Sequence, residues 1–277
     1  GEKLRAQLGI SFLPSRIHNK TERSSSIIDT TYSRYNWSPQ ARIDYEVNDN
    51  LNARINYRGR TGQPSVSQLV PVLDNTNPIS QSLGNPYLTT HFSHSIGTDL
   101  RYSNRQNFSS FNLSVDGGFN QNPIVNATWV EQGKTYSMPV NGPTTGNFSA
   151  RFFANFPIAK SNFSISTNTG GGTSTSASYV GSNVGTEKYF IDNNGDGEID
   201  DFDYMMFRND YPDFNNSSAF ERNNTRNLNF SESLTVTYRN DALEVRLGGS
   251  TRYSNSKYSI NPERNINTWN NGLNGSF

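Results

Sequence analysis

Apolar and polar residues alternate with period two through most of this chain, and the runs are joined by connections of two very different lengths. Leu4, Ala6, Leu8, Ile10 and Phe12 alternate with Arg5, Gln7, Gly9 and Ser11. Ala41, Ile43, Tyr45 and Val47 alternate with Arg42, Asp44 and Glu46, and Leu51, Ala53, Ile55 and Tyr57 with Asn52, Arg54, Asn56 and Arg58. Similar runs follow around 91–103, 108–119, 147–156, 162–169, 231–239 and 243–253, with a fragmentary last one near Trp269. Each run predicts a strand with one apolar and one polar face. Tight turns are expected at Val47–Leu51, Asn104–Asn107, Pro157–Ser161 and Arg239–Ala242. Long polar connections are expected at 14–34, 62–90, 120–146, 171–230 and 254–268, in strict alternation with the short ones. Structureless loops beyond about 15 residues are uncommon in compact domains, so several in one chain need a reason.

An all-β, antiparallel, up-and-down transmembrane β-barrel supplies that reason. It has short turns on the periplasmic side and long extracellular loops, and about 9–11 tilted residues carry each strand across the bilayer. Nine to ten strands are expected, so residues 1–277 read as one barrel domain, present in part. Tyr35, Trp37, Tyr57, Tyr102, Phe119, Phe156, Tyr238 and Tyr253 fall near strand ends, where aromatic girdles would lie. A soluble β-sandwich shows the same alternation. The second face separates the two readings: it carries Arg42, Asp44, Glu46, Arg54, Arg58, Asp99, Arg101, Asp116, Arg151, Glu244 and Arg246. A sandwich core cannot bury so many charges, whereas a watery or plugged lumen can hold them. Only 32% of the residues are hydrophobic, which suits a polar-lined barrel. The absence of cysteine excludes disulfides and thiolate metal sites. A net charge of zero gives no case for nucleic acid as a partner.

The 171–230 connection contains Asp192-Asn-Asn-Gly-Asp-Gly-Glu-Ile-Asp-Asp-Phe-Asp203. Side-chain oxygens fall at loop positions 1, 3, 5, 9 and 12, on Asp192, Asn194, Asp196, Asp200 and Asp203. Glu198 would contribute its carbonyl, and Gly197 sits where such a loop turns sharply. This is the spacing of a calcium loop, six to eight oxygens around a hard cation. Position 12 is Asp rather than Glu, a shorter carboxylate with a weaker bidentate grip. A sensor needs flanking amphipathic helices, and the upstream sequence is Gly/Ser/Thr-rich. The expectation is therefore a structural Ca²⁺ that staples the longest outer loop. A plain solvated turn is the competing reading.

Residues 57–92 carry Tyr57-Arg58, Pro64-Ser-Val-Ser-Gln-Leu69, Asp74-Asn-Thr-Asn-Pro78 and Gly84-Asn-Pro-Tyr-Leu88. This segment resembles the barrel of TonB-dependent outer-membrane receptors in the version common in Bacteroidetes. Thr89-Thr90 stands where the family usually has Pro-Glu, a small departure. The resemblance implies a receptor in the outer membrane of a Gram-negative bacterium. Its partners would be outer-membrane lipid, a nutrient ligand, the TonB energy-coupling system acting through an N-terminal plug, and a surface lipoprotein as a further candidate. The chain opens inside a strand and shows no plug segment, so a barrel fragment is expected. A complete small barrel with enzymatic or adhesive activity stays open, as does a soluble calcium-stabilised adhesion module.

The remaining candidates are weaker. His91 and His94 stand three apart on a strand and so on opposite faces, which opposes shared metal binding. Gly170-Gly-Gly lacks the lysine and helix of a phosphate loop. Loop aromatics such as Tyr87, Trp129, Tyr136 and Tyr179 could stack on a sugar or peptide, but packing within the loops is the expected role for most. No nucleophile–base pair stands out, so no enzyme is expected.

Overall fold

The computed structural model describes residues 3–23, 26–70, 73–74, 77, 79–158, 161–182, 184, 190–191, 204–205 and 218–277. The chain runs β1 (Leu4–Arg23), β2 (Ser26–Asn48), β3 (Leu51–Gly62), a short helix α1 (Val66–Leu69), β4 (Leu73–Asp74) and β5 (Ser80–Leu83). It continues through β6 (His91–Asn104), β7 (Ser109–Gln121), β8 (Ile124–Glu131), β9 (Lys134–Asn141), β10 (Thr145–Pro157) and β11 (Phe163–Ser182). It ends with β12 (Phe190–Ile191), β13 (Tyr204–Met205), β14 (Phe220–Arg239), β15 (Glu244–Tyr258) and β16 (Ile266–Ser276). Ten of these strands, β1, β2, β3, β6, β7, β10, β11, β14, β15 and β16, lie side by side as antiparallel neighbours in chain order. The sheet is open, and β1 and β16 each pair on one side only among the described residues.

Register partners share a face of the sheet. One row runs Leu4, Tyr45, Ala53, Leu100, Leu113 and Phe152 across β1, β2, β3, β6, β7 and β10. This apolar face bears aromatic pairs at both ends. Tyr102 stacks on Phe111 at 5.1 Å and Phe163 meets Tyr238 at 5.0 Å near the short turns. Trp37 stacks on Phe92 at 4.7 Å and Tyr253 meets Trp269 at 4.7 Å at the far end. From Phe92 to Tyr102 a strand tilted by about 40° climbs about 25 Å along the membrane normal, the height of an outer-membrane apolar band. Between the girdles Glu232 is an exception, being the register partner of Thr169 and Thr251 on this outward face. Its carboxylate accepts from the hydroxyls of Thr167 and Thr169 on the next strand.

The four short turns are closed by their own side chains. Asn48 Oδ1 accepts from the N–H of Asn50, and Asn104 Oδ1 from that of Gln106. Ser161 Oγ accepts from the N–H of Phe163, and Asn240 Oδ1 from those of Ala242 and Leu243. Asn and Ser imitate a backbone turn in this way, which is why such residues mark tight connections.

The long connections are shorter than the sequence suggests. The expected loop 14–34 is the upper part of the β1–β2 hairpin, whose register continues to the pair Arg23↔Ser26. The expected loop 171–230 narrows to 183–219, because β11 and β14 stay paired up to Gly181↔Phe220. The expected loop 254–268 narrows in the same way between β15 and β16. Outside lipid both faces of a hairpin meet water, so the outward positions turn polar and the period-two signal disappears while the backbone ladder continues. Within 120–146, β8 and β9 form a hairpin whose turn uses Gln132 and Gly133 at positive φ, as a two-residue hairpin turn requires.

This hairpin builds a packed layer above the membrane. β10 begins at Thr145, leaving the upper part of β11 without a neighbour on that side, and β8 pairs there in parallel from Tyr179 to Ser182. β5 adds to β9, also in parallel. Leu83, Ala127, Trp129, Met138, Val140, Tyr179, Val184 and Phe220 form its buried core.

Arginine placed at Leu113, on the apolar face, is expected to cost about 2–4 kcal/mol of stability in lipid. Arginine at Ser95, on the opposite face of the neighbouring strand, is expected to be near neutral. Equilibrium refolding of both variants into lipid vesicles measures the difference.

Candidate functional site on the lumen wall

The polar face carries an unbroken row across all ten long strands. It reads Arg5, Asp44, Arg54, Asp99, Ser114, Arg151, Gly170, Ser231, Arg252 and Asn270, each the register partner of the next. The charged positions expected to share one face therefore do so. At one end of the row the charges neutralise one another. Asp44 accepts from Arg42 at 2.7 and 3.1 Å and from Arg54 at 2.7 Å. Ser114 Oγ donates to Asp99 at 2.7 Å. Arg5, Arg101 and Lys3 join this network around a recess of about 350 Å³. Glu244 similarly takes Arg239 at 2.6 Å and also Arg246.

The other end differs. Arg151 and Arg252 line one open recess of about 660 Å³ with Asp116 and the small residues Ser114, Ser149, Gly170 and Ser231. Arg252 also borders an adjoining recess of about 430 Å³. Neither arginine forms an ion pair among the described residues. The sequence flagged Arg151 but passed over Arg252, whose partnership with Arg151 appears only when the strands are in register.

The calcium-loop residues Asp192, Asn194, Asp196, Glu198, Asp200 and Asp203 lie outside the described residues. Their flanks are described: Phe190 pairs with Met205 and Ile191 with Tyr204 in an antiparallel ladder of two strands. Among the described residues no group of three metal-ligating side chains gathers. His91 pairs in register with Gly62 and His94 with Gly59, on opposite faces of β6 as expected. His94 stacks on Phe119 at 4.2 Å and meets the Tyr57 hydroxyl at 3.0 Å, so it belongs to the outward aromatic cluster. Trp129 and Tyr179 are buried in the outer layer, and Trp129 stacks on Tyr136 at 5.5 Å, while Tyr87 is exposed. Packing thus accounts for Trp129, Tyr136 and Tyr179.

Between β3 and β6, the described residues of 63–90 pack into that outer layer. Ser65 and Gln68 cap α1 reciprocally: the Ser65 hydroxyl accepts from the Gln68 N–H, and Gln68 Oε1 from the Ser65 N–H. Leu69, Leu83, Leu88 and Asn85 are buried, and Asn85 Nδ2 donates to the Pro139 carbonyl at 2.9 Å. A Cβ at Gly84 would lie 1.8 Å from the Val70 carbonyl oxygen. At the departure from the family pattern, the Thr89 N–H donates to Asn141 Oδ1 at 2.9 Å, a bond that proline could not make. Gly84→Ala is expected to destabilise this connection by about 1–3 kcal/mol through overpacking. Faster cleavage of the outer layer in limited proteolysis, with the membrane strands intact, checks it.

Comparison with known proteins places this wall. Residues 1–209 match the outer membrane protein beta-barrel family. No curated protein matches the chain. The crystal structure of the outer membrane transporter YddB from Escherichia coli aligns with it at a TM-score of 0.42 and 11% identity, covering 99% of this chain and 34% of that one. With its apolar outward band, polar inner row and a family match over most of its length, the chain belongs to the outer membrane protein beta-barrel family and resides in the outer membrane of a Gram-negative bacterium.

Proposed function

We propose that this chain is part of the barrel wall of a TonB-dependent receptor that takes up a nutrient. The observation that carries the reading is the unbroken polar row across ten strands, in which Arg151 and Arg252 form no ion pair among the described residues. A wall exposing hydrogen-bonding groups and unpaired cations inward is suited to hold a plug and to pass a polar solute. The open edges of β1 and β16 support a larger wall, since unpaired backbone groups in hydrocarbon cost several kcal/mol each. In this reading the outer layer meets the ligand first, and a surface lipoprotein docks there. Transport needs no nucleophile, and a lumen row of arginine, aspartate, serine and asparagine is suited to hydrogen-bonding a polar solute.

Uptake through such a receptor draws on energy from the inner membrane. Cells carrying the gene should accumulate a solute that deletion mutants do not, and an uncoupler of the inner membrane should abolish the difference. Uptake that survives de-energisation defeats the TonB-dependent reading. Turnover of ester or peptide substrates by the purified protein in detergent would favour a barrel enzyme instead.

The loop 192–203 is proposed to hold a structural Ca²⁺ through Asp192, Asn194, Asp196, Asp200, Asp203 and the Glu198 carbonyl, with the β12–β13 ladder closing its base. The donor set is all oxygen, as a hard cation prefers, and an external site of this kind binds at about 10⁻⁴–10⁻³ M. Calorimetry should show Ca²⁺ uptake in that range, and Asp196→Ala together with Asp203→Ala should remove it. No uptake at millimolar Ca²⁺ ends the proposal.

A further inference from the structure

The geometry points to an anion subsite on the lumen wall, in which Arg151 and Arg252 together grip a carboxylate, phosphate or sulfate group of the transported solute. The inference rests on the transport reading and names a chemical class of cargo for it. Four observations carry it. Arg151 and Arg252 stand on one register row, separated by Gly170 and Ser231 alone. Three strand spacings put their backbones about 14 Å apart, a span that two long side chains can close from both ends. The residues between them are small, and the space left is a recess of about 660 Å³, within the range of about 300–1,000 Å³ typical of small-ligand sites. Finally, both guanidinium groups lack an ion pair among the described residues, whereas Asp44 at the far end of the row is held by two arginines.

The rest of the lining suits an oxyanion. Ser149, Asn168 and Asn229 offer neutral donors beside the two forks. Asp116 is the single carboxylate on the recess. Two guanidinium groups against one carboxylate leave net positive charge at the recess, so an anion is favoured there even though Asp116 alone would repel it. Planar arginine forks match carboxylate and phosphate bidentately, which a lysine pair would not do. An acidic side chain of a plug domain offers the same chemistry. The small-ligand size of the recess favours the solute, and the experiment separates the two.

The test uses the full-length protein purified in detergent at low ionic strength, with pyrophosphate as the anionic probe and trehalose as the neutral one. Wild-type protein should bind pyrophosphate and not trehalose. Arg151→Gln and Arg252→Gln should each weaken binding by about tenfold or more, the usual effect of losing a charge-assisted hydrogen bond. The double variant should abolish binding, and Arg151→Lys with Arg252→Lys should restore part of it. Arg105→Gln, in a turn remote from the recess, should bind as wild type, and circular dichroism should show every variant folded. Absent pyrophosphate binding, equal binding of trehalose, or unchanged binding by the double variant overturns the subsite. If the double variant instead loosens the plug, seen as faster proteolysis of the plug with pyrophosphate affinity intact, the arginines serve the plug and the inference fails. Uptake assays in cells keep the two readings apart. Solute uptake lost on gene deletion but intact in the double variant leaves transport standing and removes the anion subsite. Uptake unchanged by deletion removes transport, and the cargo site with it.

Discussion

Hydrocarbon offers a backbone N–H or C=O no partner, and every other feature of this wall follows from that constraint. A strand in lipid must be paired along its whole length, so neighbours in sequence become neighbours in space and the turns between them become tight. Asn48, Asn104, Ser161 and Asn240 close those turns with side-chain oxygens, which lets the ladders begin within one or two residues of the reversal. With pairing fixed, one face of each strand meets lipid and the other the lumen. The two faces then diverge in composition because their solvents differ. Glu232 shows how strictly the rule is kept. The carboxylate that register puts on the outward face takes hydroxyl donors from Thr167 and Thr169 rather than facing lipid unpartnered.

The same constraint explains which parts of the structure were legible in the sequence. Leu100 and Leu113 face lipid beside Asp99 and Ser114 on the lumen side, so alternation there is forced and readable. Above the membrane that force disappears. Residues 14–23 and 26–34 pair as fully as the strands below them, yet Ser15, Arg34 and their neighbours carry no periodic signal, because water solvates either face. Register was equally hidden. The strands that carry Arg151 and Arg252 can be placed from sequence, but their alignment depends on three intervening ladders. The segment 57–92 was recognisable as a pattern before its physics was visible. Gly84 is small because the Val70 carbonyl occupies the space a Cβ would need, and Asn85 is polar because Pro139 presents a carbonyl in the core.

Net charge says nothing of where the charges lie. The chain sums to zero, which gives no case for nucleic acid as a partner. The fold sorts the charges that this sum conceals. Arg5, Arg54, Arg151 and Arg252 stand on one lumen row against Asp44 and Asp99 alone. Asp192, Asp196, Glu198, Asp200 and Asp203 fall instead within the connection between β11 and β14. Segregated charges act on whatever passes near each group, and a screening length of about 8 Å at physiological salt keeps the outer connection and the lumen row from cancelling across larger gaps. In the proposed transport reading, acidic residues in that connection would repel an anionic solute that the lumen arginines attract. A divalent cation held by Asp192, Asp196, Asp200 and Asp203, as proposed, would offset the repulsion without altering the attraction.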